Sequence, residues 1–596
     1  MPSYEEDFDN LTNYFLLLRK ALIMSAGNKT LNRHVISLIL RAVQYFPSYF
    51  EGHVADVIAL YSDVDGVITQ MQMAQLLQVL AVLSNVVDDE SVRLKLLQMA
   101  VAPSVEHIRS IEWAFENVSA FVKFNGFDLL PAEVRDSTNR VEVPGFCLPC
   151  HIVMCFNSAS THGPQRRALT CIQGAVHQVN KSSPLACLLM PIFQSFFKLS
   201  RCLMDLHLEE TKQIIHPLLR DNLTKIVAFE KQQIYCSVGE NIEVVTGRST
   251  MVETDPVNVE RQYVYDLNDQ IIAIISASAS KFADTIYSLN NLPQLLLGMV
   301  ASLESVPDYR LRCWIKKVWK AIVCECPRER YSLIEEFFER IVGVMHARLQ
   351  KLWAEVSHID YDSEPTEEEL FSEHMTCVLS REYIAFLRSC YLNNDVDEKK
   401  SVTMSPLGEW LFNNKVGLSS VIMTVFSSLT FRDSILVLRA IGLCKVLAEK
   451  LSDCYDDEVG VYMLVCSIRS LQLHGADEVT GTPLIGLVFH IYFALRRFSN
   501  SLPQVLLQIP NVTADIVESF DSKVRAMISG DEVIVEKQKK EMARKLLKGV
   551  ITLTIGEQHK KPVYLRPLPP IEKRRRVVNE RENFEDIALL FACEEV

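Results

Sequence analysis

Apolar residues along this chain recur every three to four positions, in short stripes separated by polar or proline-bearing breaks. Val35, Leu38, Ile39, Ala42 and Phe46 form one stripe, Pro47 interrupts it, and Val54, Val57, Ile58 and Tyr61 form the next. Met73, Leu76, Leu77, Leu80 and Leu83 make a third. Positions i, i+3, i+4 and i+7 share one face of an α-helix, so each stripe predicts an amphipathic helix. The first and third begin 38 residues apart, near the ~40–47-residue period of HEAT-type helix pairs. A lone helix pair cannot bury its stripe, and stacking on neighbours supplies the core. The expected fold is therefore all-α: a right-handed superhelical solenoid of antiparallel HEAT-like helix pairs, with negligible sheet.

The array is expected to run over residues 1–535, broken by three loops. Residues 236–262 lack helical period and read as a long connection. Residues 358–370 carry Asp360, Asp362, Glu364, Glu367, Glu368 and Glu369 without a base, which predicts an acidic, weakly ordered inter-helix loop. Residues 393–405 are polar and read as a third loop.

One helix carries two distinct faces. After Val306-Pro-Asp-Tyr-Arg-Leu-Arg312, the residues Leu311, Trp314, Ile315, Val318 and Ile322 form a core stripe. Arg312, Lys316 and Lys320 form a cationic stripe at i, i+4 and i+8, flanked by Arg310 and Lys317. The chain as a whole has a net charge of −13. A basic face on an acidic protein needs counter-charges from neighbouring helices or an anionic partner, and the pattern leaves both readings open. Arg166-Arg167, placed in a loop after Gly163-Pro164, and Arg93 with Lys95 are further candidates for anion contact.

Charge also marks the end of the chain. Residues 537–581 hold fourteen Lys/Arg and four Glu, while the last fifteen residues hold five acids and no base. Residues 536–596 are thus expected to form a basic helix with Lys537, Lys539, Lys540, Arg544, Lys545 and Lys548, followed by an extended tail. Lys573, Arg574, Arg575 and Arg576, behind Pro567-Leu-Pro-Pro570, resemble a nuclear-localisation cluster; a solvated tail is the alternative.

The acidic start lacks the cationic region of a signal peptide, and no uncharged apolar run of ~18 residues stands out, so no membrane insertion is expected. The 16 cysteines lie singly in apolar stretches, as reduced core cysteines do. That reading covers Cys324 and Cys326, and also Cys147-Leu-Pro-Cys150-His151, whose spacing matches a haem-attachment pattern but lacks a fourth zinc ligand at good spacing. Asp63-Val-Asp65-Gly66 reads as a turn. No phosphate-binding loop, dinucleotide fingerprint, zinc-protease motif or nucleophile elbow occurs, so neither an enzyme nor a cofactor is expected.

Beyond these patterns, the wording of the chain resembles the exportin-5 family of the importin-β superfamily. The resemblance runs from Val306–Arg312 through Cys326-Pro-Arg-Glu-Arg-Tyr331, Met345-His-Ala-Arg-Leu349, Trp353 and Leu379-Ser-Arg-Glu382. It continues in Thr424-Val-Phe-Ser-Ser-Leu429 with Asp433, Leu471-Gln-Leu-His-Gly475, Phe489-His-Ile-Tyr492, Ala494-Leu-Arg496, Gln508-Ile-Pro510, Phe520-Asp521 and Gly556-Glu-Gln558. Weaker blocks sit at Leu83-Ser-Asn85 and Ala102-Pro103. The resemblance implies an exportin shuttling between nucleus and cytoplasm, carrying double-stranded or hairpin RNA with a 3′ overhang, such as microRNA precursors. Its implied partners are Ran-GTP and nucleoporins. The match reaches only the C-terminal half of a family member, so the chain is expected to lack the N-terminal Ran-binding repeats. The competing expectation is a solenoid that serves as a protein-interaction scaffold without independent export activity.

Overall fold

The computed structural model of the chain describes residues 4–24, 28–129, 158–234 (without 182, 229 and 233), 256–357, 366–393, 403–452 and 456–551. Cys147, Cys150, His151 and the basic cluster Lys573–Arg576 lie outside these residues.

Helices follow one another as expected. α1 (Tyr4–Met24) and α2 (Lys29–Tyr45) are followed by α3 (Val54–Val64) and α4 (Gln70–Leu76, running on into Gln78–Leu83). Next come α5 (Glu90–Ser110), α6 (Ser158–Gln178), α7 (Phe193–Asp205) and α8 (Pro256–Lys281). Then come α9 (Leu292–Met299), α10 (Asp308–Cys313, Trp314–Trp319 and Lys320–Cys324), α11 (Glu335–Ser357) and α12 (Glu367–Tyr391). α13 (Leu418–Ser427), α14 (Ser434–Leu451), α15 (Asp457–His474) and α16 (Glu478–Leu495) complete the alternation, and α17 (Ala514–Ser529) and α18 (Glu536–Leu546) follow. The only sheet-like pairing among the described residues is the bridge between Leu392 and Met404.

The stacking makes this a HEAT-like solenoid. Each even-numbered helix from α2 to α14 packs on the next even one, and α7, α9, α11, α13 and α15 form a second row. Neighbours in the even row run parallel: Lys316 meets Glu382 and, two turns later, Cys324 meets Cys390. Arg381 meets Asp433 and Arg388 reaches the carbonyl of Arg439 in the same sense. A parallel row requires each intervening helix to carry the chain back. α18 breaks the rule, with Arg544 beside Thr482 and Lys540 beside Gly486, so it lies antiparallel on α16.

Repeat length is not uniform. The even-row helices begin at Pro256, Asp308, Glu367, Ser434 and Glu478, so the 38-residue spacing near the start does not persist. In α2 the buried face is Val35, Ile36, Ile39, Ala42 and Val43, while Leu38 and Phe46 are exposed. Pro47 ends that helix and opens a one-turn helix at its first position, where a missing N–H costs nothing.

The structure corrects several loop expectations. Residues 256–262 belong to α8, whose Tyr263, Val264, Leu267 and Ile271 are buried. Glu367, Glu368 and Glu369 form the first turn of α12. There Thr366 accepts from the Glu369 amide at 3.2 Å, and Glu369 accepts from the Thr366 amide at 3.1 Å. Acids at a helix start complement its dipole, so a charge run without a base caps a helix here. Residues 393 and 403–405 are tied together, the Asn393 amide donating to the Thr403 carbonyl at 3.1 Å. Leu185–Asp205 and Glu478–Leu495 reach the length and hydropathy of membrane spans among the described residues; in both, more than half of the apolar stretch is buried inside the structure.

Candidate nucleic-acid interface

α10 begins after Pro307, with Asp308 favourably placed in the first turn. All five residues of the expected core stripe are buried, and full burial of such side chains contributes about 1.5–3 kcal/mol each. The helix is not α throughout: Trp314–Trp319 is a π-helical segment. A π turn takes more than four residues, so positions five apart come to lie on one face. Trp319, one turn after Ile315, lies at the edge of the stripe, and it is fully buried like Trp314. Trp314 Nε1 donates to Asn268 Oδ1 at 3.2 Å, which anchors α10 to α8.

The flanking cations divide into three situations. Arg310 is only 6 % exposed, lying on the core side one turn before Trp314. Its guanidinium sits 3.6 Å from Glu230 Oε1 and over the rings of Tyr265 and Tyr309. Buried and engaged in this way, Arg310 does not face an anion in solvent, contrary to the expectation from its sequence. Burial raises the Glu230 carboxyl, and the Arg310 guanidinium beside it opposes that shift. Arg312 is half-buried, with its Nε unpaired among the described residues. Lys316, Lys317 and Lys320 are exposed. Lys316 Nζ lies 3.2 Å from Glu382 on α12, and Lys317 Nζ lies 3.7 Å from Asp269 on α8. Lys320 has no ion-pair partner among the described residues.

Arg166 and Arg167 lie on α6, two helices away in the same row, and not in a loop. Packing of Gln165, Ala168, Leu169 and Ile172 carries the helix through Gly163 and Pro164 despite their poor propensity. Arg166 pairs with Asp266 on α8, and Arg167 donates to Gln70 Oε1 on α4 at 2.8 Å. Arg93 and Lys95 stand apart, near the start of α5. Arg93 donates to the Val87 carbonyl at 2.8 and 3.2 Å, whereas Lys95 is exposed.

Sequence reasoning misses two basic participants and three acidic ones. Lys281, at the end of α8, donates to the carbonyls of Val176, His177 and Val179 at 3.0, 2.7 and 2.7 Å, capping α6. Burial lowers its ammonium pKa. Arg439, exposed on α14, gives no pattern signal because no second base lies three or four positions from it. The acids Asp266, Asp269 and Glu382 decide which cations are paired, and nothing local in the sequence reveals those partners. Half-exposed ion pairs contribute ~0–1 kcal/mol, so a polyanion following the row can take Lys316 and Lys317 from their acids.

A family model described as the Exportin-5 family matches residues 34–562. The chain belongs to that family. Exportin-5 of Mus musculus is 22% identical over 602 residues, covering 93% of this chain and 49% of the mouse protein. Exportin-5 of Homo sapiens is 24% identical over 355 residues, covering 54% of this chain and 29% of the human protein. Exportin-5 of Dictyostelium discoideum is 21% identical over 535 residues, covering 86% of this chain and 44% of that relative. The chain thus spans half or less of the length of these exportin-5 relatives. The even-row face of α6, α8 and α10 falls inside the matched region.

Proposed function

We propose that this chain contributes the cargo-contacting surface of a nuclear export receptor that shuttles between nucleus and cytoplasm. The cargo is double-stranded or hairpin RNA with a short 3′ overhang, microRNA precursors among them. It is carried together with Ran-GTP and passes the pore through contacts with nucleoporins. The single observation that carries this reading is a solenoid of the Exportin-5 family whose even row displays Lys316, Lys317 and Lys320 on one exposed helix face. Double-stranded RNA is recognised through shape and phosphate charge, so a row of lysines at helical spacing suffices without any base-reading motif. An acidic body is compatible, because binding follows the local potential.

A scaffold that binds proteins through the same face is the second reading. It is favoured by the acids already paired with Lys316, Lys317 and Arg166. Fluorescence anisotropy with a hairpin RNA, measured against salt and with or without Ran-GTP, separates the two. The export reading expects salt-dependent binding to duplex RNA, strengthened by Ran-GTP. Binding with neither dependence supports the scaffold.

A further inference from the structure

The end of α10 carries a pair of thiols that the RNA reading does not use. Cys324, the last residue of α10, places its Sγ 4.0 Å from Sγ of Cys390, in the last turn of α12. The two helices run side by side in the same sense, held two turns earlier by Lys316 and Glu382. Both cysteines are free. They differ in access: Cys390 is fully buried, whereas Cys324 is partly exposed to solvent.

We propose that Cys324 and Cys390 form a peroxide-responsive dithiol, which closes into a disulfide that staples the end of α10 to α12. The Cys390 thiol donates toward Cys324 and holds it below the ordinary thiol range, with the Lys320 ammonium one turn earlier adding to the effect. Cys390 is pushed well above that range by burial and remains a thiol. The partly exposed, thiolate-prone partner is thus the one that meets an oxidant first. The oxidant is a hydroperoxide. The Cys324 sulfur attacks one peroxide oxygen, the O–O bond breaks, and the departing oxygen leaves protonated, giving a sulfenic acid on Cys324. The Cys390 sulfur then attacks the Cys324 sulfur, the S–S bond forms and the S–O bond breaks. The released hydroxide leaves as water with the Cys390 proton. Each sulfur loses one electron and the peroxide gains two.

Neighbouring thiols supply internal controls. Cys326 is buried, donates to the Pro327 carbonyl at 3.7 Å, and is pushed up to about 12 by burial. Cys187 is exposed and no other thiol is described beside it. The staple fixes the helix segment immediately after the π turn, and with it the backbone that carries Lys316 and Lys320.

The test treats the full reduced chain with increasing hydrogen peroxide, followed by non-reducing peptide mapping and thermal melts. The expected result is a linked pair of peptides containing Cys324 and Cys390, two hydrogens lighter than the separate peptides. The melting midpoint should rise on oxidation and return with a dithiol reductant. Cys324→Ser and Cys390→Ser should each abolish the link and the shift, while Cys326→Ser retains both. Cys324→Ser tests the idea even if the buried Cys390→Ser fails to fold. A Cys324–Cys326 link, or no link at peroxide levels that oxidise Cys187, overturns the proposal. A melting shift that persists in Cys324→Ser does the same.

Discussion

Asp433 holds the junction of α12 and α14 in two ways, and the two can be separated. Its carboxylate accepts from Arg381 Nε at 2.6 Å and from an Arg381 terminal nitrogen at 2.8 Å. It also caps α14, accepting from the amides of Ile435 at 3.1 Å and Leu436 at 3.4 Å. Asp433 is 0% and Arg381 8% exposed, so the pair is desolvated. Asp433→Asn retains a good capping group but removes the charge, leaving the buried Arg381 guanidinium facing a neutral amide at this contact. Breaking a buried pair from one side costs about 3–5 kcal/mol. Asp433→Ala loses the cap as well, for roughly a further 1 kcal/mol. The expected order is wild type, then Asn, then Ala, and Arg381→Met combined with Asp433→Asn should recover much of the loss. Because a solenoid unfolds by segments, amide hydrogen exchange of α14 reads the effect alongside urea denaturation. If Asp433→Asn destabilises by under about 1 kcal/mol, the pair is not desolvated and this reasoning fails.

Further outcomes follow from other positions. Gly417 has φ +58°, and a Cβ there would lie 2.3 Å from Val342 Cγ2. Gly417→Ala should therefore cost roughly 2–4 kcal/mol in urea melts, through left-handed strain and a clash. Gly530, with φ +87° and open space around it, should lose only about 1 kcal/mol on the same change. Burial lowers His162 to about 4 and His207 to about 3. The unfolded chain then binds protons that the folded one refuses. Stability should fall as pH drops below ~6.5, by up to about 1.4 kcal/mol per unit for each histidine until its folded pKa is reached. Melts from pH 7 to 4 check this, and His207→Gln should flatten the slope.

Much of α10 is legible in its sequence, because an apolar stripe and a cationic stripe are local periodicities. The fate of individual cations is not. Arg310 reads as surface, yet it turns inward because Glu230 and Tyr265 wait there from elements distant in sequence, with the ring of its neighbour Tyr309 beside them. Trp319 sits at the edge of the stripe by its spacing of four from Ile315, and its full burial within the π turn is visible only in the structure. The acids of Glu367–Glu369 read as a loop from composition, although Thr366 and Glu369 make a helix start of them. The family is readable from collinear blocks over most of the chain, whereas the pairing of Lys317 with Asp269 and Lys316 with Glu382 is a property of the stacking alone.

The claim that the even row contacts duplex RNA is tested most directly by changing Lys316, Lys317 and Lys320 together to Ala. Anisotropy of a hairpin RNA with a 3′ overhang is then followed across a salt series with Ran-GTP present. Each phosphate contact contributes ~0.9 to the slope of log affinity against log salt for a duplex, so the slope should shrink by up to about three. Affinity should fall for all duplex sequences alike, with the thermal melt unchanged because the buried stripe of Leu311, Trp314 and Val318 is untouched. A folded triple variant that binds with wild-type affinity and slope would contradict the account and leave Lys316 and Lys317 paired only with Glu382 and Asp269, with Lys320 a solvated cation.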